Sequence, residues 1–341
     1  MKFPILMMLC VIHLAAWGSQ ERLSVEGYGE GFFFSQPGER SNASADMMVE
    51  PTLHFSDNAK LCVAIGFQHP SEEGGMFEAE LEALSLDLRV NGETGLSLGK
   101  VHMPIGLYNL YHEPIYFLTL EPSRVEHLII PAEWHESAAL VKRRFGEFTV
   151  IAGVMSGMEA SKLQKKSWIR EGKESHLRGD GKPGWLARID YGTMGNVLVG
   201  GSVVTTPLLG SSASATLVEA HVSAHFENGW EAMAIASRGW ISDIDTLPSG
   251  VTVDKRAEGA SLTIGYDIGR QYFARSTREV IFFGHTEYAR PAQTMEATGL
   301  GGSAYATGFN WYLTPRVVAK AEYRDSTQEG KRAGVGIGFV Y

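Results

Sequence analysis

Histidines and carboxylates alternate along one stretch of the chain, a combination that can move protons or bind metal ions. The stretch carries Glu219, His221, His225 and Glu227. A repeat of two is the period of a β-strand, whose successive side chains point to opposite faces. Because no P-loop or H-E-x-x-H motif accompanies the row, we interpret it as the polar face of a wall and predict no enzyme activity.

A second cluster of charged residues lies in and beside Leu107–His135, a stretch rich in aromatic residues and proline. Charged side chains that face one another across a narrow lumen set an electrostatic barrier and select ions by sign. The same residues could instead pair with one another and hold the stretch against a wall. Nine residues form this predicted pore constriction: His112, Glu113, Glu121, Arg124, Glu126, His127, Glu133, His135 and Glu136.

Neither a metal site nor a cofactor is predicted. Imidazole and carboxylate suit zinc, but the histidines of the second cluster are 15 and 8 residues apart along the chain, which is no recognised ligand spacing. The formal net charge of the chain is −9. A nucleic-acid partner is therefore not expected, because such proteins carry a basic surface.

The elements that would position these residues are predicted from alternation of period two. In Ala333–Tyr341, for example, Val335, Ile337 and Phe339 face one way and glycines face the other. About 16 such segments predict an all-β fold, a transmembrane antiparallel β-barrel. The approximate spans are 23–34, 45–55, 60–69, 76–91, 95–106, 136–145, 146–157, 183–192, 196–206, 215–227, 230–243, 256–269, 277–289, 302–313, 316–327 and 331–341.

The polar positions of these strands should face the lumen, because lipid-facing and lumen-facing residues alternate in such barrels. In the span 76–91 the apolar parity changes between Leu81 and Leu84, which predicts a bulge or an extension outside the membrane. The predicted lumen wall comprises Lys100, His102, Arg188, Glu219, His221, His225, Lys320, Glu322 and Arg324.

The connections between the segments give a second sign of a barrel. Every second connection is a short turn, and two of these turns contain Asn91-Gly92 and Asn228-Gly229, a signature of type I′ hairpins. The other set includes the long connections, about 107–135, 158–182, 244–255 and 290–301. Short turns at one end and long loops at the other are typical of outer-membrane barrels.

The amino-terminal residues predict the compartment. Lys2 is followed by the apolar run Phe3–Ala16, which is too short to span a bilayer as a helix. Small residues at Ala16 and Gly18 then favour signal-peptide cleavage after Gly18. We therefore predict a signal peptide over 1–18, a single barrel domain over 19–341 and localisation in the outer membrane of a Gram-negative bacterium.

Three blocks in and beside the long third connection carry a family resemblance: GKVHMPIGLYN (Gly99–Asn109), YHEP (Tyr111–Pro114) and IIPAEW (Ile129–Trp134). They resemble bacterial porins related to the phosphate-selective porin O and P group, over about 76–136. The resemblance implies a third loop folded into the lumen, and a homotrimer. Tyr341 also resembles the carboxy-terminal signal read by the barrel-assembly machinery. The arginine ladder of phosphate channels is not identifiable, so no solute is carried over.

These features together predict a water-filled channel for passive diffusion of small hydrophilic solutes or ions. The basic stretch 158–182 could bind lipopolysaccharide or steer anionic solutes, or could be only solvated. Three alternatives stay open: an outer-membrane barrel enzyme, a structural or adhesive barrel with a plugged lumen, and a secreted soluble β-sandwich.

Overall fold

The computed structural model describes residues 22–38, 41–69, 78–173, 182–269, 280–291 and 301–341. The predicted signal peptide and its cleavage site lie outside these residues. Among the helices of the described ranges, none has the length and apolar character needed to cross a bilayer. The strands are β1 Leu23–Ser35, β2 Asn42–Ser56, β3 Ala59–His69, β4 Glu78–Arg89, β5 Thr94–His102, β6 His135–Phe145, β7 Phe148–Met155, β8 Met158–Glu159, β9 Gly184–Gly192, β10 Val197–Leu209, β11 Ser214–His225, β12 Trp230–Ser242, β13 Arg256–Asp267, β14 Val280–Arg290, β15 Gly302–Thr314, β16 Val317–Ser326 and β17 Gly330–Val340.

The strands close into an antiparallel barrel of 16 strands with one extra strand. Each barrel strand pairs with its neighbour along the chain, and β1 closes the ring by pairing with both β2 and β17. The two-residue strand β8 is the extra one, and it pairs in parallel with the end of β10. Because closure pairs every strand on both sides, the barrel leaves no exposed sheet edge. The predicted all-β transmembrane barrel is confirmed.

The two faces of the wall differ in composition as the alternation predicted. On β16, Lys320, Glu322 and Arg324 are buried, whereas Ala321 and Tyr323 are exposed. The exposed face of the barrel carries large apolar side chains, among them Trp185, Ile189, Tyr191, Phe309, Trp311, Val335 and Ile337. An apolar band on the outside and polar residues inside is the arrangement that a bilayer selects.

A β-bulge interrupts the pairing of β3 with β4. Ala64 pairs with Ala83, but Ile65 pairs with Leu81, so Glu82 is the extra residue on β4. The parity change along β4 predicted a bulge or an extension, and the bulge is what the structure shows. Glu82 is 5% exposed and therefore points away from solvent, as does the adjacent Ala83. A bulge re-aims side chains in this way because it places two residues opposite one.

The short turns are present, but their predicted type is wrong. Type I′ needs positive φ at both central residues, and neither Gly92 nor Asn228 has it. The β11–β12 connection is instead a turn closed by the bond from Gly229 N to Phe226 O (2.9 Å), followed by Gly229 at φ +92°. This three-residue loop is favoured because it requires a left-handed conformation at the glycine alone.

The connection between β5 and β6 runs from 103 to 134 and is the third on its end of the barrel. His135, predicted as the last residue of the loop, instead begins β6, and Glu136 follows it in the strand as predicted. Residues Gly95–Gly99 match G-x-S-x-G, a hydrolase nucleophile pattern that sequence analysis overlooked. They lie inside β5, where Ser97 pairs with Asp87 and Leu140. That motif needs a sharp strand-to-helix turn, so the match carries no catalytic prediction.

Candidate pore constriction

The connection 103–134, here called the inner segment, is packed rather than solvated. Leu107, Val125, Ile129 and Trp134 are each 0% exposed. A five-residue π-helical turn, Val125–Ile129, lies within it. Gly259 on β13 leaves room for this turn, since a Cβ there would lie 2.8 Å from Ile129 Cδ1. The inner segment therefore rests directly on the barrel wall at β13.

Two buried polar side chains hold the inner segment together. Glu126 accepts hydrogen bonds from the backbone N–H groups of Leu107 (2.7 Å) and Tyr108 (2.8 Å). Asn109 donates to the carbonyl of Pro131 (3.0 Å) and accepts from the N–H of Trp134 (3.1 Å). Burial raises the pKa of Glu126, while its two backbone donors oppose the rise. Glu126, a predicted constriction residue, is thus a structural anchor.

Side chains of β16 bind the backbone of the inner segment. Lys320 Nζ donates to the carbonyls of Phe117 (2.7 Å) and Thr119 (2.9 Å). The N–H of Leu120 donates to Glu322 Oε2 (3.0 Å). Lys320 and Glu322, both predicted wall residues, therefore bind protein backbone. Such charge-assisted bonds are about twice as strong as neutral ones, so they hold the segment firmly.

A second anchor lies on β14. Glu287 Oε2 accepts a hydrogen bond from the N–H of Arg124 (2.6 Å). Glu287 and Glu322 are each 3.4 Å from Arg324, which is 2% exposed. The three charged wall residues form one buried network beneath the inner segment. Glu287 was not among the sequence-predicted sites, although its alternation along 277–289 places it on the polar face.

A third network occupies the wall at β9 and β11. Arg188 Nε donates to Asp190 Oδ2 (2.8 Å), and Arg188 also reaches the carbonyl of Gly106 in the inner segment (2.5 Å). His221 lies 2.9 Å from Glu219 and 3.1 Å from Asp190. The predicted residues Arg188, Glu219 and His221 are thus brought together, and Asp190 joins them. Every charge in the network has an opposite partner, as buried charges require.

A cavity of about 360 Å³ lies between the inner segment and the wall. Its acidic residues include Glu30 on β1, Asp46 on β2, Glu78 on β4 and Glu133 of the inner segment; its basic residues are Arg124, Arg170, Arg324 and Arg332. Among the described lining residues, the contributions of β1 to β4 include no lysine or arginine. The cavity therefore has an acidic wall, defined by Glu30, Asp46, Glu78 and Glu133, and a basic wall, defined by the four arginines.

The histidines of the inner segment have opposite environments. His127 Nε2 lies 2.8 Å from Arg170 Nη1. Burial, together with the charge of Arg170, lowers the pKa of His127 from 6.5 to about 3. Burial alone would lower the pKa of His112 as well, but the carboxylates of Glu50 and Glu113 outweigh it and raise that pKa. His127 is accordingly neutral near pH 7, and His112 is the more readily protonated of the two.

The remaining predicted residues lie apart from this cavity or at its edge. Glu121 forms an ion pair with Arg332 at the cavity. Glu136 binds Ser156 Oγ (2.6 Å) behind the inner segment. His225 lies 3.5 Å from Glu231 on the neighbouring strand. The structure distributes the predicted residues: Glu126 and Glu136 bind other protein groups, whereas Glu121, Arg124, His127 and Glu133 line the cavity.

The cavity also contains residues that the sequence did not single out: Glu30, Asp46, Glu78, Arg170 and Arg332. The alternation along β1 and β2 could have placed Glu30 and Asp46 on a polar face. It could not have shown that they share a space with Arg332. A second cavity of about 860 Å³ lies at the short-turn end, and Tyr111 and Tyr116 of the inner segment line it. The segment thus has a cavity on each side.

Comparison by sequence gives one relative and no family. No protein-family model matches the chain. A protein of Aquifex aeolicus (strain VF5), described as uncharacterized, is 25% identical over 332 residues, which cover 88% of this chain and 75% of the relative.

Comparison by structure gives porins and other outer-membrane proteins. OmpF of Salmonella typhi, solved with daunomycin, has a TM-score of 0.62 at 9% identity and covers 94% of this chain and 97% of its own. A loop L8 deletion mutant of OmpT, an outer membrane protein of Vibrio cholerae, has a TM-score of 0.59 at 11% identity, covering 94% and 99%. A mutant Rh. blastica porin reaches 0.56 at 11% identity, covering 94% and 100%. These likenesses show that the fold is a porin-like barrel.

Proposed function

We propose that this protein is an outer-membrane porin, a barrel in a Gram-negative outer membrane that lets small hydrophilic solutes or ions diffuse through a water-filled channel. The observation that carries the proposal is the charged cavity between the inner segment and the buried face of the wall. Supporting observations are the apolar outer band and the porin-like fold. A closed barrel of 16 strands is wide enough to leave an aqueous channel.

The inner segment is proposed to be the constriction, lying in the lumen. Its support is that it connects β5 to β6 yet contacts the buried faces of β9 and of β13, β14 and β16, and these last three lie across the ring from β5 and β6. A connection that reaches all four strands crosses the barrel interior. Solutes would then pass through the space left between this segment and the wall, where the acidic and basic walls face them.

The mechanism follows from the separation of charge around the cavity. An ion entering it would leave part of its hydration shell and meet fixed carboxylates on one side and guanidinium groups on the other. Because the walls are of low dielectric, the field across the cavity is focused. Small ions of either sign could pass along their own wall, whereas an uncharged apolar solute would have to disrupt the oriented water between the walls.

Biogenesis and assembly are proposed on sequence grounds. The segment 1–18 would direct export and be removed, and Tyr341 would be read by the barrel-assembly machinery. Outer-membrane lipids and lipopolysaccharide would surround the apolar band, and the protein would form a homotrimer. The resemblance over 76–136 makes porins related to the phosphate-selective porin O and P group our proposed relatives, in channel architecture and not in solute.

The second candidate function is a sealed barrel with a structural role. The observation that favours it is the firm anchoring of the inner segment by Lys320, Glu322 and Glu287. The two candidates differ in one measurable property, which is conductance.

The deciding experiment is single-channel recording of the refolded mature protein in planar bilayers, with reversal potentials under a salt gradient. Stable ohmic steps are expected for the porin. A folded barrel that never conducts would overturn the porin proposal in favour of the sealed barrel. Gln replacement of Glu147, an exposed turn residue, serves as a control that should leave the conductance unchanged.

A further inference from the structure

Three side chains outside the charged cavity form a compact set of metal-binding groups. Glu82, His102 and His135 each offer one ligand atom, and these atoms all lie within 4.8 Å of one another. Glu82 Oε2 is 3.3 Å from His135 Nε2, and the rings of His102 and His135 have centroids 4.4 Å apart. Glu82 and His135 are 5% and 1% exposed. The cluster is therefore nearly enclosed by protein.

The strand register builds the cluster. His102, the last residue of β5, pairs directly with His135, the first residue of β6. On the other side, Leu84 pairs with Lys100, and Glu82 and His102 each lie two residues further along their strands. The bulge in β4 leaves Glu82 without a partner on β3 and turns it inward. Three adjacent strands thus present their ligands in one row.

Two atoms of the cluster lack a hydrogen-bond partner in the part of the chain that the structure describes. Glu82 Oε2 and His102 Nδ1 are buried and make no hydrogen bond within the described residues. A buried polar atom without a partner destabilises the folded state. Gly66 on β3 lies beside this carboxylate, and a Cβ there would collide with Glu82 Oε1. The fold therefore leaves space for a buried carboxylate whose Oε2 accepts no hydrogen bond from any described residue.

We propose that Glu82, His102 and His135 bind a divalent transition-metal cation, with Zn²⁺ as the representative ion. Two imidazoles and a carboxylate are a common zinc ligand set, which leaves a fourth position for water. With Zn–N and Zn–O distances of about 2.0–2.2 Å, tetrahedral ligands lie roughly 3.3–3.5 Å apart. The Glu82–His135 distance of 3.3 Å already meets this, and small side-chain rotations bring in His102.

The surroundings fit a cation that arrives from the channel. Glu133, one of the acidic-wall residues, lies two positions before His135 and accepts a long hydrogen bond from Gln68 (3.5 Å). Glu78 and Glu82 line a third cavity, of about 440 Å³. The ring of His112 stacks on that of His102 with centroids 5.2 Å apart, and His112 pairs with Glu50 at 3.7 Å. Acidic side chains thus line a route to the cluster, and the ring of His112 stacks on that of His102.

This proposal revises the sequence prediction that no metal site exists. That prediction rested on histidine spacings along one loop, and His112, His127 and His135 do not converge on one point. The set that does converge takes one residue from each of three strands, separated by 20 and 33 positions. No linear motif encodes such spacing.

The test is Zn²⁺ binding by the refolded full-length mature protein in detergent after chelator treatment. Calorimetric titration and metal analysis after dialysis would be run on wild type, Glu82→Gln, His102→Gln and His135→Gln. His225→Gln is the matched control, because His225 also faces a carboxylate at 3.5 Å but belongs to no group of three ligands that the described residues bring together. Heat-modifiable electrophoretic migration reports which variants fold. Glu82→Gln keeps the shape of the side chain, so the proposal can still be tested if a histidine variant misfolds.

One equivalent of Zn²⁺ is expected for wild type and His225→Gln. Removing a ligand should weaken binding by about 100-fold or more, since loss of even a supporting group costs 10–100-fold. Folded wild type that binds no Zn²⁺, or folded ligand variants that bind it as wild type does, would overturn the proposal. Binding is measured without a bilayer, so a non-conducting barrel can still bind zinc. Conversely, a conducting barrel without zinc binding would contradict this proposal alone.

Discussion

The two walls of the charged cavity are built differently. On the basic wall, Arg332 pairs with Glu121, and Arg324 pairs with Glu287 and Glu322. Arg170 contacts the imidazole of His127, and Arg124 donates to the hydroxyl of Ser326 (3.5 Å). On the acidic wall, Glu30 pairs directly with Asp46 across β1 and β2, and the carboxylates of Glu78 and Glu133 line the same cavity. The basic wall thus includes arginines held in ion pairs, whereas the acidic wall gathers like charges.

The difference separates the residues that stabilise the fold from the residues that we expect to meet ions or solutes. Buried ion pairs fix the inner segment and cost much to break, because the remaining charge would be left without a partner. Like charges held together instead oppose folding and are retained where they meet a solute or an ion. We therefore expect substitutions in the basic wall to act mainly on stability, and substitutions in the acidic wall to act mainly on ion selectivity.

The largest expected effect follows from Arg324→Met. Glu287 and Glu322 would each lose a buried partner, so the free energy of unfolding should fall by about 3–5 kcal/mol. Urea unfolding of the detergent-refolded barrel measures this. Arg316→Met, at an exposed turn position, is the matched control and should change stability by less than about 0.5 kcal/mol. Equal stability of the two variants would contradict the contrast between the walls.

Lys320→Met should release part of the inner segment. The carbonyls of Phe117 and Thr119 would lose their charged donor, at a cost of about 1.5–3 kcal/mol. We expect larger or noisier single-channel conductance, because the segment that we propose as the constriction would become more mobile. Lys331→Met, on an exposed side chain, should conduct as wild type does. An unchanged conductance in a folded Lys320→Met barrel would show that this anchor does not set the channel width.

The triple variant Glu30→Gln, Asp46→Asn and Glu133→Gln should change selectivity with little loss of stability. Removing the carboxylates leaves the arginines as the main fixed charges, so the reversal potential under a salt gradient should shift towards anion preference. The stability cost should be smaller than that of Arg324→Met, since like-charge repulsion is relieved. An unchanged reversal potential in the folded triple variant would show that the acidic wall does not face the ion path.

The last effect concerns the acid dependence of stability through His127. Its pKa in the folded protein is about 3, below the ordinary value of about 6.5. Between these values the unfolded chain binds a proton that the folded chain does not, so acidification from pH 6.5 to pH 3 destabilises the fold. His127→Gln should therefore lose less stability over this range than wild type. A steeper acid dependence in the variant would mean that His127 is protonated in the folded barrel.

Much of the barrel could be predicted from the amino-acid sequence. All 16 predicted spans coincide with strands, and the bulge at Glu82 was signalled by the parity of Leu81 and Leu84. The turn types were wrong, because Asn-Gly pairs fit more than one hairpin and the choice depends on strand twist. The candidate site was predicted only in part: Arg124, Arg324 and Glu133 lie at the cavity, whereas Glu126 proved to be an anchor.

By itself, the sequence determined which residues lie in strands and which face of each strand is polar, because a period of two is a local property of extended backbone. Only the tertiary structure decided which polar residues meet. Barrel closure brings β1 beside β17, the register pairs His102 with His135, and the inner segment joins Glu133 to Glu30 and Asp46. These encounters depend on contacts between residues far apart in the chain, and no local pattern specifies them.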